Sequence, residues 1–268
     1  MRKMAATANS VAVIDKALDL LECLSDGQPR TVAELSEAAG ISKAAAYRIL
    51  HTFERRGLVV TYERVRRYTI GHGLLTYAES ARRSDRLLAA ARPIMHELWT
   101  HSGETVNLGI RSRDRVLYLE VIESSRGLRA TGQVGSLDTL HSTALGKAML
   151  SRLPDSDLAR IIGRAELKAR TVNTVTDPNA LLQAIGQART DGFAIDNEEN
   201  EIGMRCVAAP IVTTEGQAIG ALSISGPASR MTNKTVQGLA RLLRDGCVKV
   251  TDTLSFSRVA PGGSVGAT

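Results

Sequence analysis

The chain contains the three residue types that thiol-dependent acyl transfer uses, namely Cys206, His141 and Asp196. A cysteine activated by a neighbouring base is an effective nucleophile, so an enzyme is one hypothesis. However, no nucleophile elbow or other signature surrounds Cys206, and nothing in the sequence brings the three side chains together. This hypothesis would also leave the N-terminal motif described next without a purpose.

A second kind of chemistry, hydrogen bonding to DNA bases, is indicated by GISKAAAYRILHTFERRGLV at residues 40–59. Helical spacing gathers Ala46 with Ile49, Leu50 and Phe53 on one apolar face. Arg48 lies on the opposite face, one turn after small alanines, and its guanidinium can donate two hydrogen bonds to a guanine edge. A slim helix end followed by hydrogen-bonding side chains is typical of a recognition helix in the major groove.

Local signals place this helix in a helix-turn-helix. Thr31 and Glu34 form a capping-box pattern at the start of the preceding helix. Gly40 can adopt the left-handed conformation of a tight turn, and Ser42 can cap the helix that follows. An earlier helix, with Ser10 as its N-cap, is predicted from apolar residues at helical spacing: Ile14, Ala17, Leu18 and Leu21.

After Gly57 the pattern acquires a period of two, which predicts strands at 58–61 and 67–70 flanking YERVR. Such a hairpin beside a recognition helix predicts a wing, with its arginines on the DNA backbone or in the minor groove. The predicted DNA-contacting residues are Thr31, Ser42, Lys43, Ala44, Ala45, Tyr47, Arg48, Thr52, Arg64, Arg66 and Arg67.

The charge distribution supports an anionic partner. The net charge is +6, and residues 41–72 contain seven Lys or Arg against two Glu, so most of the excess lies in one short segment. Aromatic residues make up 3% of the chain, which disfavours a base-stacking surface. A winged helix that binds protein remains an alternative, and salt dependence separates the two because phosphate contacts weaken steeply with salt.

The three cysteines, at 23, 206 and 247, lie far apart, and no Cys or His pair has metal-ligand spacing. We therefore expect no metal, no cofactor and reduced thiols in a cytoplasmic protein. No apolar run approaches the ~18 residues of a membrane helix. Asp15 and Asp19 interrupt the apolar N-terminal stretch, which argues against a signal peptide.

The second half mixes helices with antiparallel strands and predicts an α+β domain. Expected strands include VNLGI, RVLYLEVI, a segment near 128–134, FAID, RCVAAPIV and AIGALSISG. Expected helices cover 87–101, 142–153, 155–162, 177–190 and 233–254. The predicted organisation is a winged helix-turn-helix domain at 8–72, a helical linker at 73–86, a second domain at 87–256 and a disordered tail at 257–268.

Four stretches, taken in order, resemble the IclR family of bacterial transcriptional regulators: GISKAAAYRIL, HSTALGKAML, DGFAIDNEENEIGMRCVAAPI and ALSISGP. The resemblance spans about residues 11–254. It implies a winged helix joined to a GAF-like effector-binding domain, and dimers or dimers of dimers on palindromic operators. It also implies that a small organic acid or related catabolite is bound by Ala144, Leu145, Asp196, Cys206, Ser223 and Ser225, with Leu128 as an apolar wall.

The residues themselves agree in part and leave alternatives open. A period of two puts Ser223 and Ser225 on one face of a strand, where hydroxyls need polar partners, although these can be sheet backbone. Cys206 can be a buried small hydrophobe, Asp196 a solvated turn acid, and Lys147 a residue that packs or pairs on the helix surface.

The helix after His141 offers one further feature. Ser142 and Thr143 are good caps, and we expect the first-turn amides of that helix to face outward and attract a carboxylate. His141 itself can instead serve as a structural hydrogen-bonding residue.

Overall fold

The computed structural model describes residues 11–62 and 66–259. The chain divides into two compact units, with the boundary between Asp85 and Arg86. The helix of the predicted linker therefore belongs to the first unit. That unit contains α1 (Ala12–Glu22), β1 (Arg30–Thr31), α2 (Val32–Ala38), α3 (Lys43–Arg55), β2 (Val59–Tyr62), β3 (Arg67–Ile70) and α4 (Gly73–Ser84).

The capping signals read from the sequence are confirmed. The Thr31 hydroxyl accepts from the Glu34 amide at 3.3 Å, and the Glu34 carboxylate accepts from the Thr31 amide at 2.7 Å. Gly40 has a φ of +63°, and the Ser42 hydroxyl accepts from the Ala45 amide at 3.2 Å. These bonds fix the start of α2 and α3 and the turn between them.

The wing is an antiparallel hairpin in which Val59 pairs with Ile70 and Tyr62 with Arg67. β1 joins its other edge, so the strand order is β1-β3-β2. The predicted basic tip falls partly on residues 63–65, and Arg64 therefore lies outside the described residues.

The predicted helix forms, and its apolar stripe is buried only in part, with Leu21 packed against the core. Ile14 and Leu18 are 55% and 51% exposed, whereas Leu20 and Leu24 are fully buried. The core of this unit takes up the C-terminal end of α1, so the apolar side chains of its first turns have no internal partner. Ser10, the predicted cap, lies outside the described residues, and Val11 occupies the N-cap position.

The second unit is a six-stranded antiparallel sheet in the order β6-β5-β4-β9-β8-β7, with helices on both faces. This confirms the α+β prediction. The elements are α5 (Arg86–Ser102), β4 (Thr105–Ser112), β5 (Arg115–Ile122), β6 (Leu137–Thr139), α6 (Ala144–Leu150), α7 (Asp155–Arg164), α8 (Pro178–Asp191), β7 (Ala194–Asn197), β8 (Met204–Val212), β9 (Ala218–Pro227) and α9 (Asn233–Val259).

The two faces of this sheet differ in chemistry because side chains alternate along each strand. Leu222 and Ile224 of β9 pack with α5 and α9 in one apolar core. Ala221 packs with α6, α7 and α8 in a second core. Ser223 and Ser225 alternate with the first pair, so they lie on the α6 side of the sheet.

α6 approaches the chain that precedes it very closely. A Cβ added at Gly146 would lie 2.2 Å from the carbonyl oxygen of Leu140, a distance that no side chain can accept. All seven residues of α6 are buried. Only glycine at this position lets the helix sit against the 140–143 segment.

Three other boundaries differ from the sequence prediction. No strand forms at 128–134; instead, Thr105 donates to the carbonyl of Ala130 at 2.7 Å and Arg230 donates to that of Leu128 at 2.8 Å. Side-chain bonds hold this segment in place of a strand ladder. α6 is shorter than predicted, and α9 continues to Val259, into the predicted tail, of which residues 260–268 lie outside the description.

Among the described helices, none combines the length and apolar character that a membrane crossing requires. Within the same residues, no group of three or more His, Cys, Asp or Glu is arranged to hold a metal ion. The three cysteines are free thiols.

Candidate nucleic-acid interface and ligand cavity

One face of α3 is open to solvent. Ala46 and Leu50 are buried in the first unit, while Ile49 and Phe53 are half-buried against them. Tyr47 is 46% exposed. The predicted contact residues that lie exposed on or just before this helix are Ser42, Lys43, Ala44, Tyr47, Arg48 and Thr52, whereas Ala45 is half-buried.

The wing is tied to this helix through Arg66. Its guanidinium donates to the Tyr47 hydroxyl at 3.1 Å and lies 5.9 Å above the Tyr47 ring. It also reaches the Glu54 carboxylate at 3.5 Å. The ring of His51 stacks parallel to that of Tyr47, with centroids 6.5 Å apart. Arg66 therefore connects wing and helix through these contacts, while its side chain stays 52% exposed.

Two more predicted DNA contacts have partners within the unit. Arg67 donates to the carbonyl of Pro29 at 3.1 Å and lies 3.8 Å from the Glu34 carboxylate. The Thr31 hydroxyl is engaged in the capping box. Both residues thus brace the start of α2, whereas Arg48 extends from the exposed face of α3.

The second unit contains a cavity of about 440 Å³ at the α6 side of the sheet. It lies between strand residues, the irregular segment that precedes β6 and the turn after β7. Its lining residues are Asn107, Tyr118, Ala130, Thr131, Gly132, Gln133, Ser136, Asp138, Asp196, Asn200, Glu201, Met204, Cys206 and Ser225.

Asn107 organises the polar floor of this cavity. Its amide nitrogen donates to the hydroxyls of Ser223 at 3.0 Å and Ser225 at 3.2 Å. Its side-chain oxygen is buried and has no hydrogen-bond partner among the described residues. The two serines therefore bond a side chain and not the sheet backbone, and a ligand can supply the missing donor to Asn107.

Asp196 is the last residue but one of β7 and pairs with Cys206 of the antiparallel strand β8. The carboxylate is 3% exposed and accepts from the amides of Glu199 at 2.8 Å and Asn200 at 3.2 Å. Burial outweighs these bonds and raises the pKa of Asp196 to about 7. Asp196 is therefore a buried acid and not a solvated turn residue.

The cavity collects some of the predicted ligand residues and leaves others out. Asp196, Cys206 and Ser225 line it. Ser223 is not a lining residue, but its hydroxyl accepts a hydrogen bond from Asn107, which is one. Ala144 and Leu145 are the first residues of α6, where they are buried in the apolar core, and they do not line the cavity. Leu128 is 66% exposed and also outside the lining, because its segment does not form the predicted strand.

The expectation of outward-facing amides on α6 is not met, since this helix is buried along its whole length. The Gly146 amide already donates to the hydroxyl of Thr143 at 3.1 Å. His141 lies 3.1 Å, through Nε2, from the carbonyl of Lys168, and burial lowers its pKa. A structural role for His141 accounts for these contacts.

The expectation that Lys147 packs or pairs on the helix surface is met for the pairing and wrong for the surface position. Its side chain is 4% exposed and its ammonium lies 2.5 Å from the carboxylate of Glu199, which is 9% exposed. The second oxygen of Glu199 is buried without a partner among the described residues. This buried ion pair joins α6 to the turn that follows β7.

The geometry disfavours thiol chemistry. Burial, followed by the nearby Asp196 carboxylate, raises the pKa of the Cys206 thiol, whereas a nucleophile needs a lowered one. The imidazole of His141 is held by Lys168, and no described contact joins it to Cys206.

Sequence reasoning missed several lining residues. Asn107 had a usable signal, since it is a polar side chain between Val106 and Leu108 in an otherwise apolar strand. Thr131, Gln133 and the other loop residues had none, because irregular backbone brings them to the cavity.

The chain is matched by two family models. "IclR helix-turn-helix domain" covers residues 13–62, and "Bacterial transcriptional regulator IclR C-terminal" covers residues 80–251. The chain is 32% identical to the HTH-type transcriptional regulator BhcR of Paracoccus denitrificans, over 94% of this chain and 89% of that protein.

Solved structures share the fold. An IclR transcriptional regulator from Alicyclobacillus acidocaldarius superposes with a TM-score of 0.81 at 27% identity, covering 91% of this chain and 99% of that one. An IclR homologue from Microbacterium hydrocarbonoxydans, solved with 4-hydroxybenzoate, gives 0.75 at 22% identity, covering 91% and 99%. With both family models matched in order, the chain belongs to the IclR family of bacterial transcriptional regulators and is not an enzyme.

Proposed function

We propose that this regulator binds duplex DNA with the exposed face of α3 in the major groove. Arg48 carries the proposal, because it is exposed on that face behind a slim end formed by Ala44. A guanidinium in that position can form two hydrogen bonds with guanine, and Lys43 can contact phosphate at the helix start. Arg66 of the wing bonds Tyr47 of the helix and remains exposed, so the wing stands beside α3 with a guanidinium that can also reach the DNA backbone.

The test begins by selecting sites from a random-sequence duplex pool with the full-length protein. On the selected site, Arg48→Ala should weaken binding by about 1–3 kcal/mol and relax preference at one base position. Arg160→Ala, which removes the same charge from an exposed position on α7, is the control. Unchanged affinity and selectivity for Arg48→Ala would contradict the base-reading role, and binding that ignores salt would favour the protein-interaction alternative.

We also propose that the protein acts on palindromic operators as a dimer or a dimer of dimers. The support is apolar surface on two helices of the first unit: Val11, Val13, Ile14 and Leu18 at α1, and Leu75 and Tyr77 on α4. Contiguous exposed apolar side chains favour association. Leu18→Glu should shift sedimentation toward the monomer and leave the circular dichroism spectrum intact, whereas an unchanged sedimentation profile would exclude this face.

We propose that the second unit binds a small organic acid or related catabolite as its effector. We also propose that the protein is cytoplasmic. The support for effector binding is a cavity of suitable size whose polar floor contains an unpartnered amide oxygen. The homologue solved with 4-hydroxybenzoate shows that a protein of this fold can hold an aromatic acid. Ligand would favour one arrangement of the DNA-binding units and so change operator affinity.

Effector binding can be tested by measuring the melting temperature of the full-length protein with a series of aliphatic and aromatic acids, including acetate and 4-hydroxybenzoate. Combined Ser223→Ala and Ser225→Ala substitutions should abolish the stabilisation by the best compound and retain DNA binding. Ser229→Ala, an exposed serine just after β9, serves as the control. A normal response in the double variant would mean that the ligand binds elsewhere.

A further inference from the structure

The charged groups of the cavity are all acidic. Its lining contains the carboxyl groups of Asp138, Asp196 and Glu201, and no Lys, Arg or His is among its lining residues. An organic acid that entered as an anion would add a negative charge to this set. Burying like charges together without a cation is costly, so the negative charge must be reduced in some other way.

The nearest cations are already engaged. The ammonium of Lys147 lies 2.5 Å from the carboxylate of Glu199, and both side chains are buried. Arg170 lies beside the cavity, where it donates to the carbonyl of Asn200 at 3.3 Å and reaches the Asp138 carboxylate at 3.6 Å. Neither cation is among the lining residues that would meet a ligand.

Asp196 is the acid best placed to accept a proton. One of its oxygens, Oδ1, accepts from both backbone amides, which leaves Oδ2 as the atom that can carry hydrogen without losing those bonds. Across the strand it faces the thiol of Cys206, and Tyr118 of β5 faces it from the lining. Both of these groups are neutral at physiological pH, since burial raises the pKa of each.

Asp138 differs from Asp196 although both line the cavity. Its Oδ2 accepts from the side-chain amide of Asn200 at 2.9 Å, its Oδ1 accepts from the Thr139 amide at 2.8 Å, and Arg170 lies nearby. Arg170 therefore offsets the negative charge of Asp138. Asp196 instead accepts from two backbone amides, and the cation that acts on it, Lys147, is already paired with Glu199.

Building on the effector-sensing role proposed above, we propose that an acidic effector binds together with one proton, which Asp196 holds. The ionised carboxyl group of Asp196 takes a proton from solvent and its new O–H donates to the carboxylate of the effector. Cavity and ligand together then carry the same net charge as the empty cavity with ionised Asp196. The regulator accordingly responds to the concentration of its acid and to pH at once.

The raised pKa of Asp196, about 7, makes this coupling effective near neutrality. The empty cavity holds the proton in about nine of ten molecules at pH 6 and in about one of ten at pH 8. If only the protonated form accepts the effector, affinity falls about tenfold between these values. A simple carboxylic acid stays ionised over this range, so the change belongs to the protein.

The experiment is calorimetric titration of the full-length protein with acetate and 4-hydroxybenzoate, and with acetamide and 4-hydroxybenzamide as neutral counterparts. Each is measured at pH 6 and pH 8 in two buffers of different ionisation enthalpy, which gives the number of protons taken up. We expect about tenfold weaker binding of the acid at pH 8, uptake of close to one proton there, and no such change for the amide.

Two variants assign the proton. Asp196→Asn keeps an acceptor for the backbone amides and permanently donates through its NH₂ group, so it should bind the acid equally at both pH values. Asp138→Asn, the matched control, should keep the tenfold difference. An acid that binds without proton uptake, or an Asp196→Asn variant that retains the difference, overturns this inference alone. Failure of every acid and amide to bind overturns it together with the proposed effector role.

Discussion

Removing the ammonium of the buried Lys147–Glu199 pair is the sharpest test of how the second unit is held together. Lys147→Met keeps the unbranched apolar stem of the lysine and deletes its charge. The Glu199 carboxylate then stays 9% exposed, with one oxygen that already has no partner among the described residues. Its remaining neighbour is the Asn197 amide, a weak donor at 3.4 Å.

The structure sets the size of the effect. A carboxylate that cannot be buried as an anion takes up a proton, and neutralising a glutamate at pH 7 costs about 3.5 kcal/mol relative to one free in water. Breaking buried ion pairs by removing one partner costs about 3–5 kcal/mol in general, which agrees. For a unit of this size the loss corresponds to a fall in melting temperature of about 7–14 °C. At pH 5 protonation is easier, so the penalty should shrink to about 1 kcal/mol.

Trp99 makes the measurement specific. It is the single tryptophan of the chain and lies on α5 of the second unit, where its indole donates to the carbonyl of Glu123 at 2.9 Å. Urea unfolding followed by its fluorescence therefore reports on this unit in the full-length protein. Lys147→Met combined with Glu199→Met should recover most of the loss, because the orphaned charge is gone. A single variant that loses less than about 1 kcal/mol at pH 7 would refute the reasoning, since the pair would then be solvated.

Three further outcomes are expected. The pKa of Asp196 in the folded protein, about 7, lies above its value in the unfolded chain, so the wild-type protein loses stability as the pH rises from 5 toward 7. Asp196→Asn cannot ionise and lacks this loss. In unfolding followed by Trp99 fluorescence, the stability of the variant relative to wild type should therefore be about 2–3 kcal/mol higher at pH 8 than at pH 5. Gly146→Ala should cost this unit more than about 2 kcal/mol in the same assay, since its Cβ would overlap the Leu140 carbonyl, whereas Gly238→Ala on α9, with nothing within 4 Å, should be neutral or stabilising. Thr31→Ala should cost about 1 kcal/mol of α2 stability, measured as faster amide exchange in that helix, and Thr31→Ser should keep slow exchange.

Local chemistry made the first unit predictable. Thr31, Ser42 and Gly40 act through bonds to residues two to four positions away, so their roles can be read from spacing alone. The face of α1 could not be read in this way. Its apolar residues satisfy helical spacing on more than one side, and the position of the core decides that Leu20 is buried while Ile14 is exposed.

The only lining residues of the cavity that could be predicted were those on strands with alternating side chains or those implied by the family resemblance. Ser225, Cys206 and Asp196 were expected and are lining residues. The loop residues depend on a segment whose path is set by Thr105 and Arg230, contacts that span 25 and 102 positions of sequence. No local pattern encodes such a bond, and the prediction of a strand there failed for the same reason.

The two faces of the large sheet differ in a way that lets the fold contain a cavity with incomplete hydrogen bonding. Toward α5 and α9 the strands present a large apolar core that includes Leu108 and Leu222, and the charged Glu120 on this side is paired with Arg92 of α5 at 2.8 Å. Toward α6 they present Asn107 with two serines and a buried acid, whose hydrogen bonding is incomplete. Each missing partner costs free energy that a bound ligand can return. The polar face can therefore remain poised for a ligand because the opposite face maintains the fold.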